Sequence, residues 1–177
     1  MGVEARVKFF TIDRCGYYKY RSSHSAFGEI GGVLSNLSDW VSGKSVSLTA
    51  TYHPTNEQDE NLLNTYCFSI RSNSSGDFLL TTWNETESDE GTVASLELTG
   101  RVENAAIELI DVPDGYVPGY PAYFWFPNGL NGFATIQFRS RLNGRNNLTH
   151  YLEPVSKPLK YSEQTSELHE AVIQMRV

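Results

Sequence analysis

The 177-residue sequence predicts an α+β fold: a mainly antiparallel sheet with one packed N-terminal helix and short C-terminal helices. Three observations lead there. Apolar residues alternate along much of the chain, the period of a half-buried strand. Between Ser23 and Ser42 the period changes, and Phe27, Ile30, Leu34, Leu37 and Val41 step by three and four, the stripe of a helix. The connections between successive strand patterns are too short for parallel crossovers, so the strands pair antiparallel. With 40% hydrophobic residues the chain can bury one core, and residues 1–177 are read as a single α+β domain, whole or part of a longer protein.

The elements follow in order. Arg6–Ile12 (RVKFFTI) reads as a strand with Val7 and Phe9 on one face. Cys15-Gly16 predicts a turn, and Tyr17–Tyr20 its returning arm. The helix comes next, capped by Ser23 or Ser25 and stopped by Gly43. Gly31-Gly32 inside it costs about 1 kcal/mol per glycine, which predicts a close backbone contact there. Val46–Tyr52 alternates as a strand ended by His53-Pro54. Leu63–Arg71 and Asp77–Asn84 flank a polar turn and form a hairpin. Glu85–Gly91 is an acidic loop. Ala94–Leu98 and Ala105–Asp111 fit short strands and short helices equally. Asp111–Pro121, with three prolines and two glycines, predicts a surface loop.

The clearest unit is Ala122–Phe126 and Gly132–Arg141, which bracket two Asn-Gly pairs and predict a hairpin. Arg145–Glu153 reads as a short helix ended by Pro154. Ser162–Met175 reads as a last amphipathic helix, with Leu168, Val172 and Met175 on one edge.

Charge is laid out unevenly. Residues 1–50 hold six Lys+Arg against four Asp+Glu, a net of +2. Residues 51–120 hold two against thirteen, a net of −11, and residues 121–177 hold six against four, again +2. The acidic middle opposes a phosphate backbone, while the ends can present a basic face. The acids read as solvated loop and edge residues that keep a β-rich surface soluble.

Catalytic and metal-binding patterns are weak. Ser38–Ser45 (SDWVSGKS) imitates a phosphate loop, but it lacks the first glycine and follows a helix where a strand is required. His24, His53, His150 and His169 show no i, i+3 or i, i+4 pair, so no metal is expected. No cofactor is implied. Cys67 stands between Tyr66 and Phe68 and reads as a buried core thiol rather than a nucleophile. No nucleophile elbow is present.

The binding signal lies around the C-terminal hairpin. Arg139, Arg141 and Arg145, with Tyr120, Tyr123 and Trp125 close in sequence, combine charge with ring faces. Such a surface suits a protein partner, since Tyr, Trp and Arg are enriched at interfaces. It also suits single-stranded nucleic acid, with charge for phosphate and rings for bases. The plain alternative is a strand edge whose arginine stems cover apolar neighbours.

The stretch Gly132–Leu152 (GFATIQFRSRLNGRNNLTHYL) resembles uncharacterised proteins of bacterial mobile elements and phage-defence loci. The resemblance implies an antiviral-defence context and carries over no functional residue.

The expected function is a non-catalytic binding module acting through a protein partner or as a homo-oligomer. A nucleic-acid-associated protein is the alternative, and a metal-dependent nuclease or hydrolase without a recognisable motif is the third. No run of 18 apolar residues exists, the first ten residues read as a strand rather than a signal peptide, and two cysteines suit a reducing compartment. A cytoplasmic location away from membranes is expected.

Overall fold

A computed structural model describes residues 4–19, 25–27, 29–52, 63–86, 93–110, 113, 115–138, 144–155 and 169–176. Antiparallel sheet dominates. The strands are β1 (Arg6–Lys19), β2 (Ser25–Phe27), β3 (Thr65–Ser72), β4 (Phe78–Glu85), β5 (Val93–Glu97), β6 (Ile107–Ile110), β7 (Tyr116–Phe126), β8 (Gly132–Gln137) and β9 (His169–Arg176). Two α-helices, α1 (Ile30–Val41) and α2 (Arg145–Val155), and a 3-10 helix at Val46–Thr49 complete the fold.

The main sheet runs β2-β1-β8-β7-β4-β3, and β9 also pairs with β1. Both predicted hairpins form: Thr65–Ser72 pairs Phe78–Asn84, and Tyr123–Trp125 pairs Ala134–Ile136. One face of the sheet carries the helices. Its inward residues Phe10, Leu80, Phe124, Phe126 and Phe133 share a core with Val33, Leu34, Leu37 and Val41 of α1 and with Leu148, Tyr151 and Leu152 of α2. Phe133 is the hub, stacked 5.1 Å from Phe10 and 5.4 Å from Phe126.

Among the described residues, the opposite face is covered at one end only. Strand β7 leaves the main sheet at its start, where Tyr116–Pro118 pairs with β5, and β5 in turn pairs with β6. This ribbon lays Leu96 over Trp83 and Tyr66, making a second small core with Val46 and Ala105. The switch happens at Gly119. A methyl group there would meet the Asn84 carbonyl oxygen at less than contact distance and lie 2.6 Å from the Trp83 indole nitrogen. Only glycine lets the two strands approach so closely. Trp83 donates its indole N–H to the Val117 carbonyl at 3.1 Å, which locks the crossing.

Several sequence expectations are corrected. No turn forms at Cys15-Gly16; β1 continues through it, with Gly16 at φ 116° and a bulge between Ile12 and Arg14. The helix begins at Ile30 rather than near Ser23, and Ser25 lies in β2. Its first residue is preceded by Glu29, whose side chain makes no capping bond. A methyl at Gly31 or Gly32 would touch nothing within 4 Å, so the expected close contact is not there. Gly43 does stop the helix, at φ 73°.

Val46–Thr49 coils into a 3-10 helix with Val46 and Thr49 buried three residues apart, instead of extending. Thr49 is buried because its hydroxyl accepts the Cys67 N–H at 3.0 Å and donates to the Val46 carbonyl at 2.6 Å. The predicted Asp111–Pro121 loop becomes strand from Tyr116 onward. Pro118 and Pro121 are tolerated because they lie outside Tyr123–Trp125, the stretch where β7 is paired with both β4 and β8. The last predicted helix is a strand over His169–Arg176, recruited by the far half of β1, and residues 162–168 lie outside the described residues.

A candidate binding face on the sheet

The register shows what the uncovered end of the outer face is made of. Phe9 pairs with Ala134, Ala134 with Trp125, and Trp125 with Leu79. One step along, Val7 pairs with Ile136, Ile136 with Tyr123, and Tyr123 with Thr81. Directly paired residues of an antiparallel sheet project to the same side. These two rows therefore form one strip across β1, β8, β7 and β4, opposite the helices, apolar or aromatic except at the buried Thr81. Phe138, next after β8, joins it by an edge-on contact of 5.3 Å with Tyr123.

Much of this strip is in water. Phe9 is 66% exposed, Phe138 48%, Val7 46% and Leu79 41%, while Tyr123, Trp125 and Ile136 are half-buried. Ala134, flanked by Phe9 and Trp125, is fully covered. Single exposed apolar side chains such as Leu48 need no explanation, but a contiguous group on four adjacent strands does. Among the described residues nothing packs over this end. Leu79 pairs in turn with Arg71 of β3, whose guanidinium lies 3.9 Å from the Glu103 carboxylate.

The structure divides the six residues that the sequence grouped. Tyr123 and Trp125 lie on the outer strip. Tyr120 has the parity of Ala122 and Phe124 and faces the helix side, beside Asn84. Burial and the nearby Tyr52 raise its phenol pKa. Arg145 opens α2 on the same helix side, its guanidinium 5.2 Å from the Phe10 ring centre. Arg139 and Arg141 lie outside the described residues. Sequence reasoning missed Phe9, Leu79, Ile136 and Phe138 as surface residues. The signal was present: KFFT, FLLTTW and AYFWF are apolar at both parities, whereas a sheet with one wet face alternates.

Other chemistry is quiet. Cys15 and Cys67 are free thiols, and burial pushes the pKa of each up to about 12, so both are neutral at pH 7. His53, considered as a partner for Cys67, lies outside the described residues. A cavity of about 450 Å³ opens between the start of α1, β1 and the turn after β7, with Asp13, Cys15 and Glu29 on its wall. Near Tyr120 the buried polar groups mostly satisfy one another: Tyr52 donates to the Leu63 carbonyl at 2.9 Å, and the Thr65 hydroxyl donates to Asn84 Oδ1 at 3.3 Å. Among the described residues no group of three metal-ligating side chains assembles, and no helix is long and apolar enough to cross a membrane. Compared with known proteins, the chain matches no family model, no curated protein and no solved structure. Any functional reading therefore rests on this chain's own geometry.

Proposed function

We propose that this chain is a non-catalytic binding module that docks a protein through the open end of its outer sheet face. One observation carries the reading: the row from Phe9 to Leu79 is apolar, with exposed side chains at both ends and the half-buried Trp125 ring between them, on paired strands. Water contact with such a patch is unfavourable by about 25 cal/mol per Å², and a partner that covers it recovers that free energy. Rings fixed on strands lose little conformational entropy on contact, which favours them as anchors. The two free cysteines agree with a reducing cytoplasm as the place of action.

The test is site-specific photocrosslinking in the native host. A photoreactive side chain at position 9 is expected to give discrete protein adducts. The same group at position 48, equally exposed but off the strip, is expected to give none. No adduct at position 9, or the same adducts at both positions, would remove the reading.

A second reading has the rings of Phe9, Tyr123, Trp125 and Phe138 as stacking platforms for single-stranded nucleic acid. The ring array favours it. Its charge would come from Arg139 and Arg141, which follow Phe138 directly in sequence. Changing both to alanine should then weaken RNA or DNA binding and reduce its salt slope by about 2. Absence of any binding at low salt by the unmodified chain excludes this use.

A further inference from the structure

We infer that the partner on the open face is a second copy of this chain, two faces packing about a twofold axis. This rests on the binding-face reading above and names its occupant.

The first support is charge. The chain carries a net −7, yet the eight residues of the two rows on β1, β8, β7 and β4 are uncharged; charge enters at the β3 edge, where Leu79 pairs with Arg71, whose guanidinium lies 3.9 Å from the Glu103 carboxylate. A partner chosen by charge would find nothing to pair with on this strip. A second copy brings an equally uncharged strip, so no like charges meet at the centre of the contact. A twofold interface is self-complementary by construction, and two twisted antiparallel sheets pack face to face with their strands about 30° apart.

The second support is area. From their fractional exposures, Phe9, Phe138, Val7 and Leu79 leave roughly 400 Å² in water. The half-buried Tyr123, Trp125 and Ile136 raise the strip to roughly 550 Å², at the upper end of the largest apolar patch on a typical monomer, which is often functional. Two strips together hide about 1,100 Å², just above the roughly 1,000 Å² floor of a specific interface and below the standard 1,600 Å². That size suits a weak, reversible dimer.

Each copy carries a net −7, and like net charges oppose approach. Salt screens that repulsion, so the dimer should tighten as ionic strength rises. Binding to a basic protein would weaken instead.

Sedimentation equilibrium of the purified full chain, from about 1 to 200 µM at low and high salt, tests the inference. A monomer–dimer equilibrium is expected, tightening about threefold or more from 50 to 500 mM salt. Phe9→Glu should weaken it at least tenfold, and so should Leu79→Glu, a second variant should the first misfold; Leu48→Glu should leave it unchanged. A monomer at every concentration overturns the inference, as does a dimer indifferent to both strip variants or one that loosens with salt. If the purified chain is monomeric while position 9 still captures a different protein in the host, self-association is wrong and the binding face stands.

Discussion

Gly119 shows how much one residue can decide. The switch of β7 from the small ribbon to the main sheet requires its backbone to pass the Asn84 carbonyl and the Trp83 indole with no room for a methyl group. Gly119→Ala should cost about 2 kcal/mol or more, read from the midpoint of urea unfolding, because both neighbours are strand-bound. Asp77 contributes to the acid side of stability. Its carboxylate accepts the Asn128 backbone N–H at 2.8 Å and the Asn73 side-chain amide at 3.0 Å, which hold its pKa below the ordinary 3.8. The sign follows: the contribution is complete above pH 3.8 and disappears as pH falls through the lowered folded value. Asp77→Asn should therefore flatten the fall in melting temperature below about pH 4. At the alkaline side the direction reverses. Cys15, Cys67 and Tyr66 are all pushed up to about 12 by burial, so stability should hold below pH 9 and decline between about pH 9 and 12 as the unfolded chain ionises first.

Elements were legible in the sequence wherever local pattern and tertiary role agreed. The hairpin around the Asn-Gly pairs and the hairpin from Leu63 to Asn84 follow from turn chemistry and alternation, and both are present. The stripe Ile30–Val41 is helical because its apolar step matches the turn of the helix that buries it. Misreadings arose where a distant partner decided. Val46–Tyr52 alternates like a strand, but the Thr49 hydroxyl links the Cys67 amide to the Val46 carbonyl, and Tyr151 donates to the Thr49 carbonyl at 2.8 Å. Threonine at 49 is thus the hinge pin of the 3-10 helix. Thr49→Val should cost about 1–3 kcal/mol in chemical denaturation, since it strands the buried Cys67 N–H. The last segment has a helical edge, yet Thr11–Lys19 of β1 takes it as a strand. No local rule foretells that pairing.

At the scale of the molecule, the aromatic hairpin was recognisable as the place of interest, but its division between two faces was not. Alternation assigns Tyr120 and Tyr123 to opposite sides once β7 is known to be a strand, and the prolines concealed that strand. The helices cover one face, the β5–β6 ribbon covers part of the other, and side chains of the remaining apolar strip face water. This two-faced account makes adjacent residues behave in opposite ways. Phe10 is 6% exposed and stacks on Phe133, whereas Phe9 next to it faces water. Thermal unfolding of Phe9→Ser and Phe10→Ser, followed by fluorescence at about 0.02 µM so that association does not intrude, compares them directly. Phe9→Ser should keep a melting temperature within about 2 °C of the parent, and Phe10→Ser should lose about 3–5 kcal/mol or unfold outright. Equal losses for the two would mean that Phe9 is core, and that this sheet has no open face.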